Sequence, residues 1–326
     1  RKQILEHLKS ENPSDLFQHA DQVRKRYCGD EVYLRGILEF SNYCCQDCRY
    51  CGLRRSNDKV MRYRMPQEEI ILSAQNAIKL NIPTVVLQSG EDSFYKIEDL
   101  CFIVKEIKKF NVAVTLSVGE RSREEYRQLK EAGADRYLLR FETSDEKLYS
   151  KLRPGRHFSQ RLKCLTWLKE LNYQVGSGIM VGLPDQTLES IAKDILLFKS
   201  LELDMIGIGP FLPHPNTPLA GNKNIGIEAV LKVLALTRIV TKNTHIPATT
   251  AVGTLDAQGR QKALACGANV IMPNITPTAY RKFYEIYPDK ICMMEDAAKC
   301  RGCVESMITA AGRKIGTGFG HSLKKV

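Results

Sequence analysis

The feature that most constrains the fold is a regular alternation of short apolar runs with longer segments of helical periodicity, which begins at Glu31. Runs rich in apolar and β-branched residues predict strands, and the segments between them predict helices. The predicted strands are residues 32–40, 84–88, 112–118, 136–141, 175–181, 205–209, 247–252 and 269–272. Eight such units favour an α/β fold of the closed (β/α)8 TIM-barrel type over an open doubly wound sheet.

The remaining segments complete the predicted organisation. Residues 1–30 predict an N-terminal helical cap, residues 31–287 the barrel, and residues 288–326 a C-terminal extension that carries further cysteines. No run approaches the roughly 18 apolar residues of a membrane span, and the chain starts with a polar helical segment rather than a signal sequence. We therefore expect a cytoplasmic protein that has no membrane partner.

The charge balance is basic, with 48 Lys plus Arg against 37 Asp plus Glu and a formal net charge of +11. The basic residues are spread along predicted helices, without a long basic run or a known nucleic-acid module. They predict solvated helix faces and no nucleic-acid partner. The excess is also compatible with an anionic substrate.

Unusual polar residues follow several of the predicted strands. In a (β/α)8 barrel the chemistry lies on the loops after the carboxyl ends of the strands. Such residues are Cys44, Cys48 and Cys51 after the first strand, Gln88 to Glu91 after the second, Glu120 after the third, and Arg140 and Glu142 near the end of the fourth. This placement predicts one composite active site.

The most specific motif is the spacing Cys44-x3-Cys48-x2-Cys51, with Tyr50 directly before the third cysteine. Three thiolates can bind three irons of a cubane cluster and leave the fourth iron open to a substrate. A structural zinc ion would require a fourth ligand, and none is nearby in the sequence. Cys45 offers an alternative Cys-x2-Cys-x2-Cys register, but we interpret it as a spare or packing thiol.

This cysteine loop after the first strand resembles the defining motif of the radical-SAM family. The resemblance implies a 4Fe-4S cluster that binds S-adenosylmethionine (SAM) and cleaves it reductively to methionine and a 5'-deoxyadenosyl radical. It also implies that Tyr50 lies near the adenine and that the turn Ser89, Gly90 and Glu91 contacts the methionyl amine. Glu142 matches a ribose or amine contact, and Arg161 a carboxylate contact. Without the resemblance, the turn is generic and both charged residues would be ordinary salt-bridge partners.

Longer stretches, at residues 87–92, 137–143, 207–215 and 246–251, resemble the FeFe-hydrogenase maturases within this family, which share a fold with biotin synthase and methylornithine synthase. The resemblance implies action on a small organometallic iron-cysteine substrate with CO and cyanide ligands. It implies the maturases HydG and HydF as partners, and an electron donor such as ferredoxin or flavodoxin.

The resemblance also assigns substrate contacts to Arg136, Arg140, Thr249, Thr250, Met272, Tyr284 and Tyr287. Physical arguments support some of these assignments. An arginine inside a barrel stays charged and favours an anion, and paired threonine hydroxyls can donate to cyanide or carboxylate groups. Tyr287 is equally compatible with a role as a core aromatic residue.

A second cysteine group has the spacing Cys292-x7-Cys300-x2-Cys303. The resemblance implies that these residues hold an accessory iron-sulfur cluster, either 2Fe-2S or 4Fe-4S, as in some members of the group. Free thiols or an adventitious zinc site remain alternatives, because three ligands alone do not identify a metal.

Two further functions remain open from the sequence. A methylornithine synthase or a biotin-synthase-like enzyme would share the barrel and the first cysteine motif. A non-enzymatic electron carrier or iron-sulfur scaffold would need the cysteines but not the SAM-type turn. Release of 5'-deoxyadenosine in the presence of SAM and a reductant distinguishes an enzyme from a carrier.

Overall fold

Six of the predicted strands form one parallel sheet in a computed structural model of the chain, which describes residues 1–324. Its strands are β2 (Gly36–Ser41), β3 (Thr84–Ser89), β4 (Ala113–Ser117), β5 (Arg136–Leu138), β6 (Gln174–Val181) and β7 (Met205–Pro210). Each strand pairs with the next along the chain, in the order β2-β3-β4-β5-β6-β7. Parallel neighbours of this kind require a crossover between strands, which the intervening helices supply.

A second, three-stranded sheet and a few isolated bridges close the ring. The strand β1 (Glu31–Leu34) lies between β8 (Val270–Ile271) and β9 (Lys314–Ile315). Single bridges join Met205 to His245 and Pro247 to Val270, and so connect β7 to β8. The architecture is therefore the predicted α/β barrel of the TIM type.

The seventh predicted strand, residues 247–252, is not a strand in the structure. It makes only the bridge at Pro247, and helix α10 (Thr250–Leu255) begins three residues later. Thr249 is the N-cap of this helix, and its hydroxyl accepts a hydrogen bond from Val252 N (3.4 Å). Threonine favours this position, and the cap directs the chain into a helix instead of a strand.

Helices cover the outside of the barrel. In chain order they are α1 (Lys2–Lys9), α2 (Ser14–Cys28), α3 (Gln67–Lys79), α4 (Ile97–Lys108), α5 (Arg123–Glu131), α6 (Glu146–Leu152), α7 (Phe158–Glu170), α8 (Leu188–Ser200), α9 (Ile227–Thr241), α10, α11 (Gly259–Ala265), α12 (Thr278–Arg281) and α13 (Ala297–Ala310). Local sequence sets some of their starts, because Ser122 and Thr187 form capping boxes at α5 and α8. None of the helices in residues 1–324 has the length and hydrophobicity of a membrane span.

The segments at the two chain ends pack on the barrel. Helix α2 lies against α9, and α1 contacts α8 and α9. After β9, residues 316–324 cross the amino-terminal ends of the strands, where Arg35 Nη2 donates to Gly320 O (3.0 Å) and Arg136 Nη2 donates to Phe319 O (2.8 Å). The division into cap, barrel and extension stays a prediction, and residues 325–326 of the predicted extension lie outside the described residues.

Candidate functional site

The first cysteine motif lies in the loop after β2, at the carboxyl ends of the strands. Its thiols at Cys44, Cys48 and Cys51 line one cavity of ≈ 280 Å³. The loop after β3 contributes to the same cavity and contacts the cysteine loop through its backbone. Gly90 N donates to Ser41 O (3.1 Å), and Cys45 N donates to Glu91 O (2.9 Å). The two sequence motifs therefore form one site.

Hydrogen bonds from distant residues fix the conformation of the cysteine loop. The guanidinium of Arg62 donates to four of its carbonyl oxygens, those of Asn42, Leu53, Arg54 and Asn57, at 2.6 to 3.1 Å. At the other side, Gly52 N donates to Ile286 O (3.0 Å) in the segment before α13. One guanidinium that donates to four carbonyls ties together residues across the loop, so Arg62 helps to set the loop conformation.

The residue types fit a cubane cluster, because three cysteines line one cavity and cysteine thiolates are the ligands of such clusters. Among residues 1–324, no three His, Cys, Asp or Glu side chains converge closely enough to hold a single metal ion. Burial raises the pKa of the Cys44 thiol to about 11. Since the ligand is the thiolate, the positive charge of bound iron would offset this burial.

Carboxylates and guanidiniums surround the methionyl end of the predicted SAM site. Arg161 is 2% exposed, and its Nε lies 2.9 Å from Glu120 Oε1. Its Nη2 is buried without a hydrogen-bond partner among the described residues and belongs to the cavity wall. A guanidinium N–H in a cavity wall that makes no hydrogen bond suits an anionic ligand group, and the carboxylate contact of Arg161 stays a prediction.

Glu142 and Tyr50 line the same cavity as the cysteines. The backbone of Glu142 has a φ of 66°, a left-handed conformation that is uncommon for residues other than glycine. Its Oε2 lies 3.1 Å from Arg140 Nη2, and the Arg140 guanidinium also donates to Ile179 O (2.5 Å). Arg140 therefore stands at the boundary between the predicted cofactor and substrate regions.

Most predicted substrate residues surround a second cavity of ≈ 150 Å³, deeper in the barrel. Its walls include Arg140, Thr249, Thr250, Met272 and Tyr287. Tyr284 instead lines the outer cavity, together with Tyr287, which lines both. The two cavities also share Gln88, Ser117, Leu138, Arg140, Ala251 and Ile286. A ligand in the inner cavity would thus lie directly against the outer one.

Arg136 lies elsewhere, and this corrects its predicted place among the cavity residues. It is 3% exposed at the start of β5, and besides Phe319 O it contacts Thr84, Gln174 and His321 at 2.9 to 3.5 Å. The first residue of a barrel strand lies at the end opposite the active site. The C-terminal segment therefore satisfies this guanidinium, and Arg136 lines neither of the two cavities.

The structure adds residues that the sequence analysis did not single out. Glu39 and Lys290 form a buried ion pair in the wall of the inner cavity, where Arg260 also lies. Glu39 lies two residues from Ile37 and two from Ser41 on β2, so the two-residue period of a strand puts it on the same face as Ile37, which also lines the inner cavity. Lys290 has no comparable signal, because it lies in an irregular segment.

The second cysteine group is only partly assembled. Cys300 is buried on α13, and its Sγ accepts a hydrogen bond from Asn274 N (3.3 Å). Cys292 lines the inner cavity and lies close to Cys300, whereas Cys303 is exposed. Two of the three thiols are therefore adjacent.

Comparison with known proteins identifies the family. A model described as the Radical SAM superfamily matches residues 38–198. The [FeFe] hydrogenase maturase subunit HydE of Thermotoga maritima is 54% identical over 305 residues, which cover 94% of this chain and 88% of that protein. The chain belongs to the radical-SAM superfamily. It is therefore a radical-SAM enzyme, and the family implies a 4Fe-4S cluster and SAM.

Other radical-SAM relatives are more distant. The 3-methylornithine synthase of Methanosarcina acetivorans is 31% identical over 78% of this chain and 73% of its own length. A crystal structure of methylornithine synthase (PylB) has a TM-score of 0.85 at 26% identity and covers 96% of this chain and 93% of that chain. A structure of HydG, a maturase of the [FeFe]-hydrogenase, has a TM-score of 0.80 at 18% identity over 95% of this chain and 70% of that chain, which shows a shared fold.

Proposed function

We propose that this enzyme is a maturase of FeFe-hydrogenase, acting on an iron-cysteine precursor that carries CO and cyanide. The observation that carries the proposal is the 54% identity to HydE over 94% of the chain. The methylornithine synthase and the biotin synthase compared with it are each 31% identical to this chain, and their matches cover 78% and 71% of it.

The outer cavity provides the residues for cofactor binding. When bound, the cluster and SAM supply a reductive cleavage that yields methionine and a 5'-deoxyadenosyl radical. Cys44, Cys48 and Cys51 would hold the cluster, and Arg161 would bind the methionyl carboxylate with its unpaired Nη2. Ser89, Gly90 and Glu91 would orient the amine, while Glu142 and Tyr50 would contact the adenosyl part. Cys48 and Arg161 are buried, and their side of the cavity would keep water from the reacting atoms.

The inner cavity would bind the substrate next to the cleaved SAM. Its charged side chains are Arg140, Arg260, Lys290 and Glu39, so positive charges exceed negative ones. A guest with cyanide ligands is anionic, and fixed guanidiniums in a poorly hydrated site select such guests. The hydroxyls of Thr249 and Thr250, with Met272, Tyr284 and Tyr287, would complete its contacts.

The partners follow from this chemistry. We infer that HydG supplies the iron-cysteine substrate and that HydF receives the product. Each cleavage consumes one electron, so an external donor such as ferredoxin or flavodoxin would reduce the cluster.

A paired assay tests the proposed function. The anaerobically reconstituted protein should release 5'-deoxyadenosine from SAM, and with the HydG product it should support in vitro maturation of hydrogenase. Arg140→Met removes the charge in the inner cavity but keeps much of the side-chain volume. Loss of a charge-assisted hydrogen bond of about 1.5–3 kcal/mol should lower maturation roughly 10- to 100-fold, while SAM cleavage persists.

Arg140→Lys should restore maturation only in part, since a point charge does not reproduce the planar fork. Arg123→Met, at an exposed ion pair on α5, serves as the control. Full maturation by Arg140→Met would refute the anionic-cavity argument. Loss of SAM cleavage by Arg140→Met would assign Arg140 to the cofactor site through its contact with Glu142.

We propose separately that Cys292, Cys300 and Cys303 hold an accessory iron-sulfur cluster, either 2Fe-2S or 4Fe-4S. The adjacency of Cys292 and Cys300 supports it. Cys303→Ala should lower iron and sulfide content but leave SAM cleavage largely unchanged, whereas Cys48→Ala should abolish cleavage. Iron content equal to that of the parent in Cys303→Ala would contradict the accessory cluster.

A further inference from the structure

Two hydrogen bonds join the end of α6 and the residues that follow it to the cysteine loop. Leu152 O accepts a hydrogen bond from Arg49 N (2.9 Å), and Arg156 Nε donates to Gln46 Oε1 (2.8 Å). Between these contacts, Arg153 caps the helix and is 6% exposed. Its guanidinium lines the outer cavity beside Cys48 and Tyr50. Burial raises the pKa of the Cys48 thiol, and the charge of Arg153 opposes that rise.

The carboxylates near Arg153 do not neutralise the local positive charge. Glu91 Oε1 lies 3.3 Å from Arg153 Nη2 but also 3.8 Å from Arg161 Nη2. Glu120 is shared in turn between Arg161 and Arg156. Three guanidiniums thus share two carboxylates, and Arg153 Nε is buried without an acceptor among residues 1–324. The surplus charge therefore lies in the wall of the cavity that Cys48 also lines, and it acts on the Cys48 thiol.

We propose that Arg153 is an electrostatic positioning residue for the cluster, and that its charge makes the cluster easier to reduce. The proposal rests on the cofactor assignment under the proposed function, but not on the identity of the substrate. A cubane held by three thiolates is already negative, and a low-potential reductant adds one further electron to it. A buried guanidinium on the Cys48 side stabilises the more negative, reduced state more than the oxidised one.

The test is an anaerobic redox titration of the reconstituted protein without SAM, followed by EPR of the reduced cluster. Arg153→Gln should lower the ratio of reduced to oxidised cluster about tenfold at a fixed potential, which equals a shift of about 59 mV for one electron. Arg153→Lys keeps the charge and should stay within about twofold of the parent. Arg156→Gln removes a half-exposed charge from the same segment and should change the ratio much less.

The outcomes separate three roles of the side chain. An unchanged ratio in Arg153→Gln, or a tenfold loss in Arg153→Lys, overturns the proposal. Weaker SAM binding with an unchanged ratio would make Arg153 a SAM ligand instead, and also overturns it. If Arg153→Gln assembles no cluster, Arg153→Lys alone decides by its ratio. Failure of hydrogenase maturation would leave this result intact, because the titration uses neither SAM nor the substrate.

Discussion

The loops after β2 and β3 touch at Gly90, where a Cβ would lie 2.1 Å from Tyr43 O and 2.8 Å from Cys44 Cβ. Both neighbours are held by the cysteine loop, so they have little room to move. Gly90→Ala should cost about 1–3 kcal/mol through overpacking and should reduce the iron bound per chain. Thermal unfolding and iron analysis measure the two effects.

Gly221→Ala is the matched control, because a Cβ there would meet no atom within 4 Å. It should leave both quantities unchanged. If Gly90→Ala binds iron as the parent does, the close approach of the two loops is not required for the cluster site.

At the same scale, the sequence predicts both Arg136 and Arg140 as cavity residues, and the structure brings only Arg140 to the two cavities. Both arginines belong to one predicted strand, and only its carboxyl end faces the cavities. The predicted strand starts at Arg136, as β5 does. Its first position alone could therefore have placed Arg136 at the amino-terminal end of the barrel. The acceptors at Phe319 and His321 lie far along the chain, and no local pattern indicates them.

Among the elements, α8 holds the connection between β5 and α6 through a buried carboxyl. Asp194 is fully buried, and its Oδ1 accepts hydrogen bonds from the backbone and hydroxyl of Ser144. Burial raises its pKa from 3.8 to about 7, although the bonds from Ser144 oppose the rise. Ser144 is two residues after Glu142, so its hydrogen bonds to Asp194 hold the turn from which Glu142 lines the outer cavity.

Asp194 predicts a specific pH dependence. Because its folded-state pKa is the higher one, the folded protein keeps a proton that the unfolded chain loses between about pH 4 and 7. The stability from this residue therefore falls as pH rises through that window and is constant above it. The parent loses this stability between pH 5 and pH 8, and Asp194→Asn does not. The unfolding free energy of Asp194→Asn minus that of the parent should therefore rise by on the order of 2–3 kcal/mol from pH 5 to pH 8.

Urea unfolding at both pH values measures this gain. Asp58→Asn, at an exposed carboxyl, should show no such change. A difference between Asp194→Asn and the parent that is the same at pH 5 and pH 8 would show that Asp194 is ionised in the folded protein.

Most elements followed from periodicity, and the exception has a local cause. The apolar residues of 247–252 look like a strand, but the threonine cap starts a helix within that run. The barrel still closes without a strand at residues 247–252, because two isolated bridges connect β7 to β8 in place of a continuous strand pairing. A pattern of apolar residues does not distinguish such a short buried run from a helix start.

For the molecule as a whole, the segment after β9 closes the amino-terminal end of the barrel. Its carbonyls at Phe319 and Gly320 accept hydrogen bonds from Arg136 and Arg35, which are 3% and 1% exposed. A chain that ends at Ile315 should lose about 2–6 kcal/mol, since each buried guanidinium loses an acceptor. Thermal unfolding of the metal-free protein measures the loss.

His321→Ala keeps the backbone carbonyls and should destabilise the protein by less than the truncation. Equal unfolding temperatures for the truncated and parent chains would show that the segment does not stabilise the barrel.

The hydrogen bond between Gly52 and Ile286 joins the cysteine loop to a segment that the ribosome makes much later. Roughly 230 residues separate these two, and a ribosome that adds about 5–20 residues per second needs about 10–50 s to make them. During that interval Cys44, Cys48 and Cys51 have left the ribosome, but the wall that covers them does not yet exist. The three thiols are then accessible to oxygen and to competing metals. Stable insertion of the cluster therefore becomes a late step, completed only after the last part of the barrel has been translated.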